Sequence, residues 1–389
     1  MRREQMCLAG VILVLPLLLV SCGRQVADES GPIRIGVIAD LTGPFAVYGT
    51  SLVRSAELAV EEINAGGGVL GRQLALVVED TQTDVAVTVD RARALVERDR
   101  VDLVLGPIGS DANDAAFQVV VVEGRRILMY PQTYEGGKCD PLFFSTGAVP
   151  EQQIRPLLEH LHAEHGPRAL LFGADYVWPR RSFEIAAPII EELGGDIVDI
   201  VYLPLVADDY LGLVTAVRSA APDYMFALYP AAWGAALKAL DDAGLLVPDL
   251  GIGTTFLGDA DLAGIGALAA GNVTALPFFA SVPGDGVQGF LNAFEDRFGQ
   301  GAIPNGGESM GAYNGVHLFA RAVEQAGTTE QAAVAAALRG QRFDGPTGEV
   351  RMMESGHLRQ PIQMVVVNEA GRHEFLRTVS DREPEQACP

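Results

Sequence analysis

The stretch IRIGVIADLTGPFAVYGTSLVRSAELAVEEINAGGGVLGRQLALVVE, residues 33–79, indicates the fold of this chain. Residues 33–38 form an apolar run broken only by Arg34, which is typical of a strand covered on both faces of a parallel sheet. Residues 52–63 repeat apolar side chains at helical spacing, and three consecutive glycines end the pattern. Because a second apolar run follows at 74–78, the stretch predicts a β-α-β unit.

The same alternation of strand and helix patterns occurs twice along the chain. It continues to residue 130, starts again with a helical pattern at 154–165, and runs to residue 253. Two successive α/β sheets of similar size predict two doubly wound parallel-sheet lobes. Later patterns cannot form a third core and so predict that the chain returns to both lobes: helices at 287–298, 311–326 and 332–338, and strands at 348–352 and 362–367.

The composition limits the classes of function. The chain has 389 residues, with 28 Lys and Arg against 50 Asp and Glu, and a formal net charge of −22. A hydrophobic content of 49% argues against a disordered acidic protein, which combines high charge with low hydrophobicity. Basic residues are not clustered, and the excess charge is negative, so we expect no nucleic-acid partner.

The start of the chain resembles a lipoprotein signal. Arg2 and Arg3 precede an apolar run at 8–20, which is too short for a membrane span of roughly 20 residues. The sequence LVSC at 19–22 resembles the bacterial lipobox, in which the signal is cut before the cysteine and the thiol is acylated. We therefore expect an extracytoplasmic domain, in the periplasm or at the cell surface, that Cys22 anchors to the membrane. The alternative is a cleaved signal followed by an incidental cysteine.

These patterns together predict the organisation of the whole chain. The predicted parts are a signal peptide at 1–21, a tether at 22–32, a first lobe from 33–147 and 278–343, a second lobe from 148–277 and 344–380, and a flexible tail at 381–389.

Two cysteines remain after the expected signal and the anchor, Cys139 and Cys388. In an oxidising compartment they can form a disulfide, and two free thiols are the alternative. His160, His162 and His165 precede a Gly-Pro pair, where cationic side chains suit a helix C-terminus better than a metal site. We therefore predict no metal and no cofactor.

Ligands of open parallel sheets bind beyond the carboxyl ends of the strands, and the cleft between two lobes is the expected site. The segments that follow the predicted strands carry aromatic rings, hydroxyl groups and one amide side chain: 40–49, 106–110, 130–136, 175–179, 229–230 and 254–255. Such a cleft can enclose and hydrogen-bond a small polar molecule. The sequence lacks an H-E-x-x-H motif and a P-loop, so we predict no catalytic residue and no enzyme.

An ordered series of motifs runs through the chain: Tyr130-Pro131, Tyr134-Glu135-Gly136, Thr146-Gly147-Ala148, Gln152-Gln153, residues 175–180 (DYVWPR), 202–205 (YLPL) and 343–348 (FDGPTG). From about residue 33 to 376 the chain resembles the periplasmic substrate-binding proteins of branched-chain amino-acid ABC importers. Within that family it is most similar to the binders of urea and short-chain amides. The resemblance implies the type I periplasmic binding fold, with a three-stranded hinge that closes two lobes on a ligand.

The resemblance also implies a set of ligand-binding residues: Tyr48, Ser110, Gln132, Thr133, Tyr176, Trp178, Tyr229 and Thr255. Tyr48 would pack on the ligand, Ser110 would hydrogen-bond to it, and Trp178 would cover it from the second lobe. The sequence departs from the family pattern at Gln132, Thr133 and Trp178, which puts the identity of the ligand in doubt. Purely structural roles are the alternatives, such as a helix cap for Ser110.

The predicted cleft has few groups that could pair with a charged ligand, namely Glu135, Asp175 and Asp259. This favours urea or a short amide over an amino acid. The implied partners are the membrane permease and ATPase subunits of an ABC importer. The alternatives are a binding protein for branched-chain or other amino acids with the same fold, and a ligand sensor for a signalling partner.

Overall fold

The computed structural model describes residues 31–380 and 382–384. The expected signal peptide, the expected lipid-anchor residue Cys22, and Cys388 lie outside the described residues, as does most of the expected tail. Among the described residues, no helix combines the length and the apolar character that crossing a membrane requires.

The described residues form strands β1 (Ile33–Ala39), β2 (Leu74–Asp80), β3 (Leu103–Leu105), β4 (Ile127–Tyr130), β5 (Phe143–Ser145), β6 (Arg168–Ala174), β7 (Asp196–Leu203), β8 (Tyr224–Leu228), β9 (Gly251–Thr254), β10 (Asn272–Leu276), β11 (Arg342–Gly345), β12 (Gly348–Met352), β13 (Leu358–Arg359), β14 (Ile362–Val367) and β15 (His373–Val379). Most of them match strands predicted from the apolar runs. The patterns did not predict β5, β10, β11, β13 and β15.

The helices are α1 (Ala46–Ala65), α2 (Val85–Arg93), α3 (Ser110–Phe117), α4 (Pro150–His165), α5 (Val177–Glu192), α6 (Leu211–Ala220), α7 (Trp233–Asp242), α8 (Asp259–Ile265), α9 (Asp285–Phe298), α10 (Gly306–Ala326) and α11 (Gln331–Leu338). Short π-helical segments, Ala94–Asp99 and Gln118–Glu123, continue α2 and α3. Several helices begin earlier than their apolar patterns predicted, among them α1 at Ala46 and α10 at Gly306. Both of these first turns contribute to the site described below.

The first sheet is entirely parallel, with the strand order β2-β1-β3-β4-β5. Its register places Ile35 of β1 opposite Leu76 of β2 and Leu103 of β3. The side chains of Ile33, Ile35 and Val37 are fully buried. This burial explains why β1 reads as an almost continuous apolar run.

The second sheet has the order β15-β14-β10-β9-β8-β6-β7. Strands β6 to β10 pair in parallel, whereas β14 pairs antiparallel with both β10 and β15. The predicted α/β fold class is confirmed, but this sheet is mixed rather than wholly parallel. A tight turn at Asn368–Gly371 joins β14 to β15, a short connection that only antiparallel strands allow.

Two hydrophobic cores surround the two large sheets, and the chain passes between them three times. The passages lie near residues 148–149, 275–278 and 358–362, where neighbouring buried residues belong to different cores. The first and third passages are joined directly, because Gln360 Nε2 donates a 3.0 Å hydrogen bond to the Thr146 carbonyl. The small sheet of β11, β12 and β13 packs its buried side chains into the first core. The lobe boundaries stated above remain predictions.

Candidate ligand-binding site

Segments at the carboxyl ends of strands from both large sheets enclose a cavity, called here the central cavity. About 30 Å³ of it is open to the centres of water molecules. Its lining consists of Phe45, Tyr48, Ile108, Ser110, Tyr130, Gln132, Thr133, Tyr176, Trp178, Pro230, Thr255, Phe256, Leu276 and Glu308. This position agrees with the rule that open α/β sheets bind ligands beyond the carboxyl ends of their strands.

The structure brings together seven of the eight residues that the sequence proposed for the site: Tyr48, Ser110, Gln132, Thr133, Tyr176, Trp178 and Thr255. Tyr229 does not line the cavity. Its ring is fully buried, and its hydroxyl donates to the Pro204 carbonyl at 2.7 Å and accepts from the Ala207 amide at 3.1 Å. Tyr229 therefore fixes the segment after β7, and its neighbour Pro230 takes the place at the cavity wall.

Six of the fourteen residues that line the cavity are aromatic. Phe45 and Tyr48 come from the start of α1, and Tyr176 and Trp178 come from the start of α5. The ring centroids of Phe45 and Tyr176 are 5.9 Å apart, and those of Tyr176 and Trp178 are 6.3 Å apart. Rings from the two cores therefore meet across the cavity at distances typical of favourable aromatic pairs.

Three polar atoms of the lining are buried and have no hydrogen-bond partner among the described residues. They are Trp178 Nε1, Thr255 Oγ1 and Glu308 Oε1. A buried polar atom without a partner costs free energy, and most native proteins leave few of them. Because the indole N–H can only donate, Trp178 needs an acceptor, and a bound molecule with an acceptor group would supply it.

Ser110 belongs to a chain of hydrogen bonds that leads out of the cavity. Its hydroxyl donates to Glu135 Oε2 at 2.8 Å, and Arg181 of α5 donates to Glu135 Oε1 at 3.3 Å. Burial raises the pKa of the Glu135 carboxyl, while the bond from Ser110 acts in the opposite direction. With its hydrogen directed to Glu135, Ser110 Oγ presents only lone pairs to the cavity. It can therefore accept a hydrogen bond from a ligand.

A second polar group lies beside the cavity. The Tyr48 hydroxyl donates to Asp261 Oδ1 at 2.8 Å, and Asn305 Nδ2 donates to Asp261 Oδ2 at 3.1 Å. Burial raises the pKa of Asp261 to about 6, although both hydrogen bonds and one from Gly258 act to lower it. Burial also raises the pKa of Glu308 well above its usual range, and the nearby Asp261 adds to this shift.

The charged groups considered from the sequence do not line the cavity. Asp175 is ion-paired with Arg180 at 2.6 Å, and Asp259 contacts His373 at 3.3 Å. Glu135 reaches the cavity only through Ser110. The acidic group that does line the cavity is Glu308, which the sequence analysis missed because the helical pattern of α10 was read from residue 311.

The other lining residues that sequence reasoning missed are apolar or aromatic: Phe45, Ile108, Tyr130, Pro230, Phe256 and Leu276. Five of them lie within or next to the segments that follow predicted strands. Their position along the chain could therefore have identified them as lining residues. Leu276 ends β10, a strand that was not predicted. The described residues contain no group of three or more His, Cys, Asp or Glu that could hold a metal ion.

The sequence matches the periplasmic binding protein family over residues 32–372. The chain belongs to this family. It is thus a periplasmic solute-binding protein of the kind that serves ABC transporters, and its family implies an extracytoplasmic location.

Curated relatives support this assignment over most of the chain. The leucine-, isoleucine-, valine-, threonine- and alanine-binding protein of Pseudomonas aeruginosa is 28% identical over 340 residues, which cover 84% of this chain and 87% of the relative. A Leu/Ile/Val-binding protein of Rhizobium johnstonii is 27% identical over 351 residues, which cover 87% of this chain and 92% of the relative.

Solved structures show the same fold. A solute-binding protein of an ABC transporter from Rhodopseudomonas palustris, in complex with 3,4-dihydroxybenzoic acid, superposes with a TM-score of 0.80 at 21% identity, covering 91% of this chain and 98% of that one. A branched-chain amino-acid transporter substrate-binding protein from Streptococcus pneumoniae, in complex with isoleucine, gives a TM-score of 0.78 at 22% identity, covering 90% and 99%. At these identities the similarity concerns the fold alone.

Proposed function

We propose that this binding protein captures urea or a short-chain amide in the central cavity and delivers it to an ABC importer. The observation that carries the proposal is the polarity of the buried groups in the cavity wall. Trp178 Nε1, which has no partner among the described residues, can donate to an acceptor of the ligand, and Ser110 Oγ, which donates to Glu135, can accept from a donor of the ligand. An amide or urea presents a carbonyl oxygen and N–H groups within one small, neutral molecule.

Electrostatics around the cavity supports a neutral ligand. Of the described residues that line it, none is Lys or Arg, whereas Glu308 lines it and Asp261 is hydrogen-bonded to the lining residue Tyr48. A carboxylate ligand would be desolvated next to these acids without a cationic side chain to offset the cost. This argues against a benzoate-like ligand and disfavours an amino-acid carboxylate.

The size of the cavity also supports a small ligand. One water molecule needs about 10–15 Å³ on this measure of volume, so the central cavity has room for about two or three. Urea and acetamide are of comparable size. Leucine is considerably larger and would require the aromatic wall to move outward.

We propose that the ligand is enclosed by closure of the two predicted lobes. The contacts across the cavity are those that closure would form: Tyr48 with Asp261, Phe45 with Tyr176, and Arg181 with Glu135. A ligand favours closure only through its higher affinity for the closed state. The closed form would then dock on the permease and ATPase assembly, with Cys22 as the lipid anchor.

Branched-chain amino acids are the second candidate ligand, because the curated relatives are named for them. In that case Glu308 would be ionised and would pair with the ligand ammonium group. Ser110 would have to release its bond to Glu135 to donate to the ligand carboxylate. An amino acid therefore requires an ionised Glu308 and a Ser110 hydroxyl that donates to the ligand. An amide requires a neutral Glu308 and a Ser110 hydroxyl that donates to Glu135.

Thermal unfolding of the purified protein with each ligand separates these candidates. We expect urea, formamide or acetamide to raise the melting temperature, and leucine and benzoate to leave it unchanged. A ligand at a hundred times its Kd stabilises the folded state by about 2.7 kcal/mol. A shift with leucine and none with any amide would contradict the proposal. Mass spectrometry of small molecules released from the denatured protein identifies a ligand that co-purifies.

A further inference from the structure

Glu308 is a buried acid at the wall of the central cavity. Its contacts within the fold explain only part of why an acid stands at this position. It is the third residue of α10, and only 2% of its surface is exposed. Its Oε1 atom has no partner among the described residues. Glu308 also stands at the position where a glutamate often caps a helix, so a purely structural role is the alternative that a test must exclude.

The local backbone makes room for the carboxyl group. Two glycines precede it, and Gly306 has a φ of +48°, a conformation that favours glycine. A Cβ atom at Gly306 would lie 3.0 Å from Glu308 Oε2, and one at Gly307 would lie 3.0 Å from the ring of Pro277. The Gly306-Gly307 pair thus lets the first turn of α10, which carries this lining residue, approach β10 closely.

Burial raises the pKa of this carboxyl well above its usual range, which favours the protonated form, and the nearby Asp261 of α8 adds to the shift. Among the described residues that line the cavity there is no Lys or Arg. A protonated carboxyl group has one hydrogen to donate, and Oε1 is the oxygen without a partner among the described residues.

We propose that Glu308 acts as a neutral carboxylic acid that donates a hydrogen bond from Oε1 to the carbonyl oxygen of the ligand, and thereby selects amides over ammonium-bearing and carboxylate ligands. This inference rests on the proposed function. Together with the Trp178 indole it gives the ligand carbonyl two donors, while Ser110 accepts from a ligand N–H group. The three side chains would thus recognise both the carbonyl oxygen and an N–H group of an amide.

Two variants of Glu308 test the assignment by isothermal titration with urea and acetamide. Glu308→Gln keeps the shape and offers an N–H donor in place of the O–H, so we expect its affinity to stay within about threefold of wild type. Glu308→Met keeps the length and removes the donor, so we expect about a tenfold loss. Melting temperatures of the ligand-free variants show whether the helix cap has been damaged.

A ligand series supplies a readout that a structural role would not change. Thiourea replaces the carbonyl oxygen of urea by sulfur, a weaker acceptor, so wild type and Glu308→Gln should prefer urea. Glu308→Met should lose part of this preference, because the donor that distinguishes oxygen from sulfur is gone.

Three results would overturn the assignment. Equal affinity in both variants and an unchanged preference for urea would leave Glu308 only a structural role. A loss in Glu308→Gln as large as that in Glu308→Met would mean that an ionised carboxylate binds the ligand. Tighter binding by Glu308→Met would mean that the Glu308 carboxyl group weakens ligand binding. If the wild-type protein binds no amide at all, the proposed function fails first, and that outcome is visible before any variant is made.

Discussion

The hydroxyl of Tyr48 donates a 2.8 Å hydrogen bond to Oδ1 of Asp261, which joins the first turn of α1 to α8 across the edge of the central cavity. Tyr48 belongs to the first hydrophobic core, and Asp261 follows β9 of the second sheet. The bond is partly buried, and it places a carboxyl group with a raised pKa next to the residue expected to pack on the ligand. It is therefore positioned to couple closure of the cavity to the occupancy of the site.

Removal of this hydroxyl should weaken ligand binding and leave the fold intact. Tyr48→Phe retains the ring and loses one hydrogen bond to an acid, which is worth about 1–2 kcal/mol. We expect the affinity for urea or acetamide to fall by about tenfold in calorimetric titration. Tyr313→Phe is the matched control, because Tyr313 donates to Glu62 at 2.6 Å and neither residue lines the cavity. Equal losses in both variants would contradict a specific role for Tyr48.

Stability should depend on pH through Asp261. Its pKa is raised to about 6 in the folded protein from an ordinary value of 3.8, because the carboxyl is desolvated. The folded state then binds more protons than the unfolded state between about pH 4 and pH 6, so stability falls as the pH rises through this window. A shift of this size corresponds to about 3 kcal/mol.

Asp261→Asn removes this titration, while Glu308 is still present in both proteins. Denaturant unfolding at several pH values between 4 and 7 should show a flatter profile for the variant than for wild type. Parallel profiles for the two proteins would show that Asp261 titrates normally in the folded state.

Arg181 should support the closed arrangement. From α5 it contacts Glu135 at 3.3 Å and Asp114 of α3 at 3.0 Å, and Glu135 in turn accepts from Ser110. Its side chain is partly exposed, so we expect Arg181→Ala to cost about 1 kcal/mol of binding free energy, a loss of about fivefold in affinity.

The neighbouring Arg180 provides a matched control for this variant. It pairs with Asp175 at 2.6 Å within the same segment and does not reach the first core. Arg180→Ala should therefore bind ligand as wild type does. A similar loss in both variants would indicate a general effect of surface charge, and the loss would then disappear at high salt.

Cys139 is disulfide-bonded in the structure, and its partner lies outside the described residues. We predict that the partner is Cys388, which is expected to persist in the mature protein with an unlipidated thiol. Peptide mapping without reduction should detect a peptide that links Cys139 to Cys388. Cys388→Ser should expose a reactive thiol at Cys139 and lower stability by about 2–4 kcal/mol. A peptide linking Cys139 to any other cysteine would contradict the pairing.

Local sequence patterns were sufficient for most elements of the fold. The buried strands of the first sheet appear as apolar runs because both of their faces are covered, as Ile33, Ile35 and Val37 show. The patterns failed for β10 and β15. Asn272 and Thr274 occupy buried positions of β10 with polar side chains, and β15 exposes most of its residues at the edge of its sheet. Neither strand therefore has the apolar signature.

The candidate site was predictable where it follows a strand. Ser110, Thr133 and Trp178 lie in segments that follow predicted strands, whose carboxyl ends converge on one edge of each sheet, and the family resemblance singled out these residues within the segments. Tyr229 was placed there by the same rule, but its side chain turns into the core and bonds to the Pro204 carbonyl. The direction in which a loop side chain points depends on its packing, which the order of residues does not reveal.

The sequence by itself determined the fold class, the family resemblance and the segments that meet at the central cavity, because these follow from local periodicity and strand order. Only the tertiary structure decided that Glu308 lines the cavity, that Asp261 bonds to Tyr48, and that Ser110 turns its hydrogen to Glu135. These contacts join residues far apart in the chain. Their protonation and polarity depend on burial and on neighbouring charges, which exist only once the two cores are brought together.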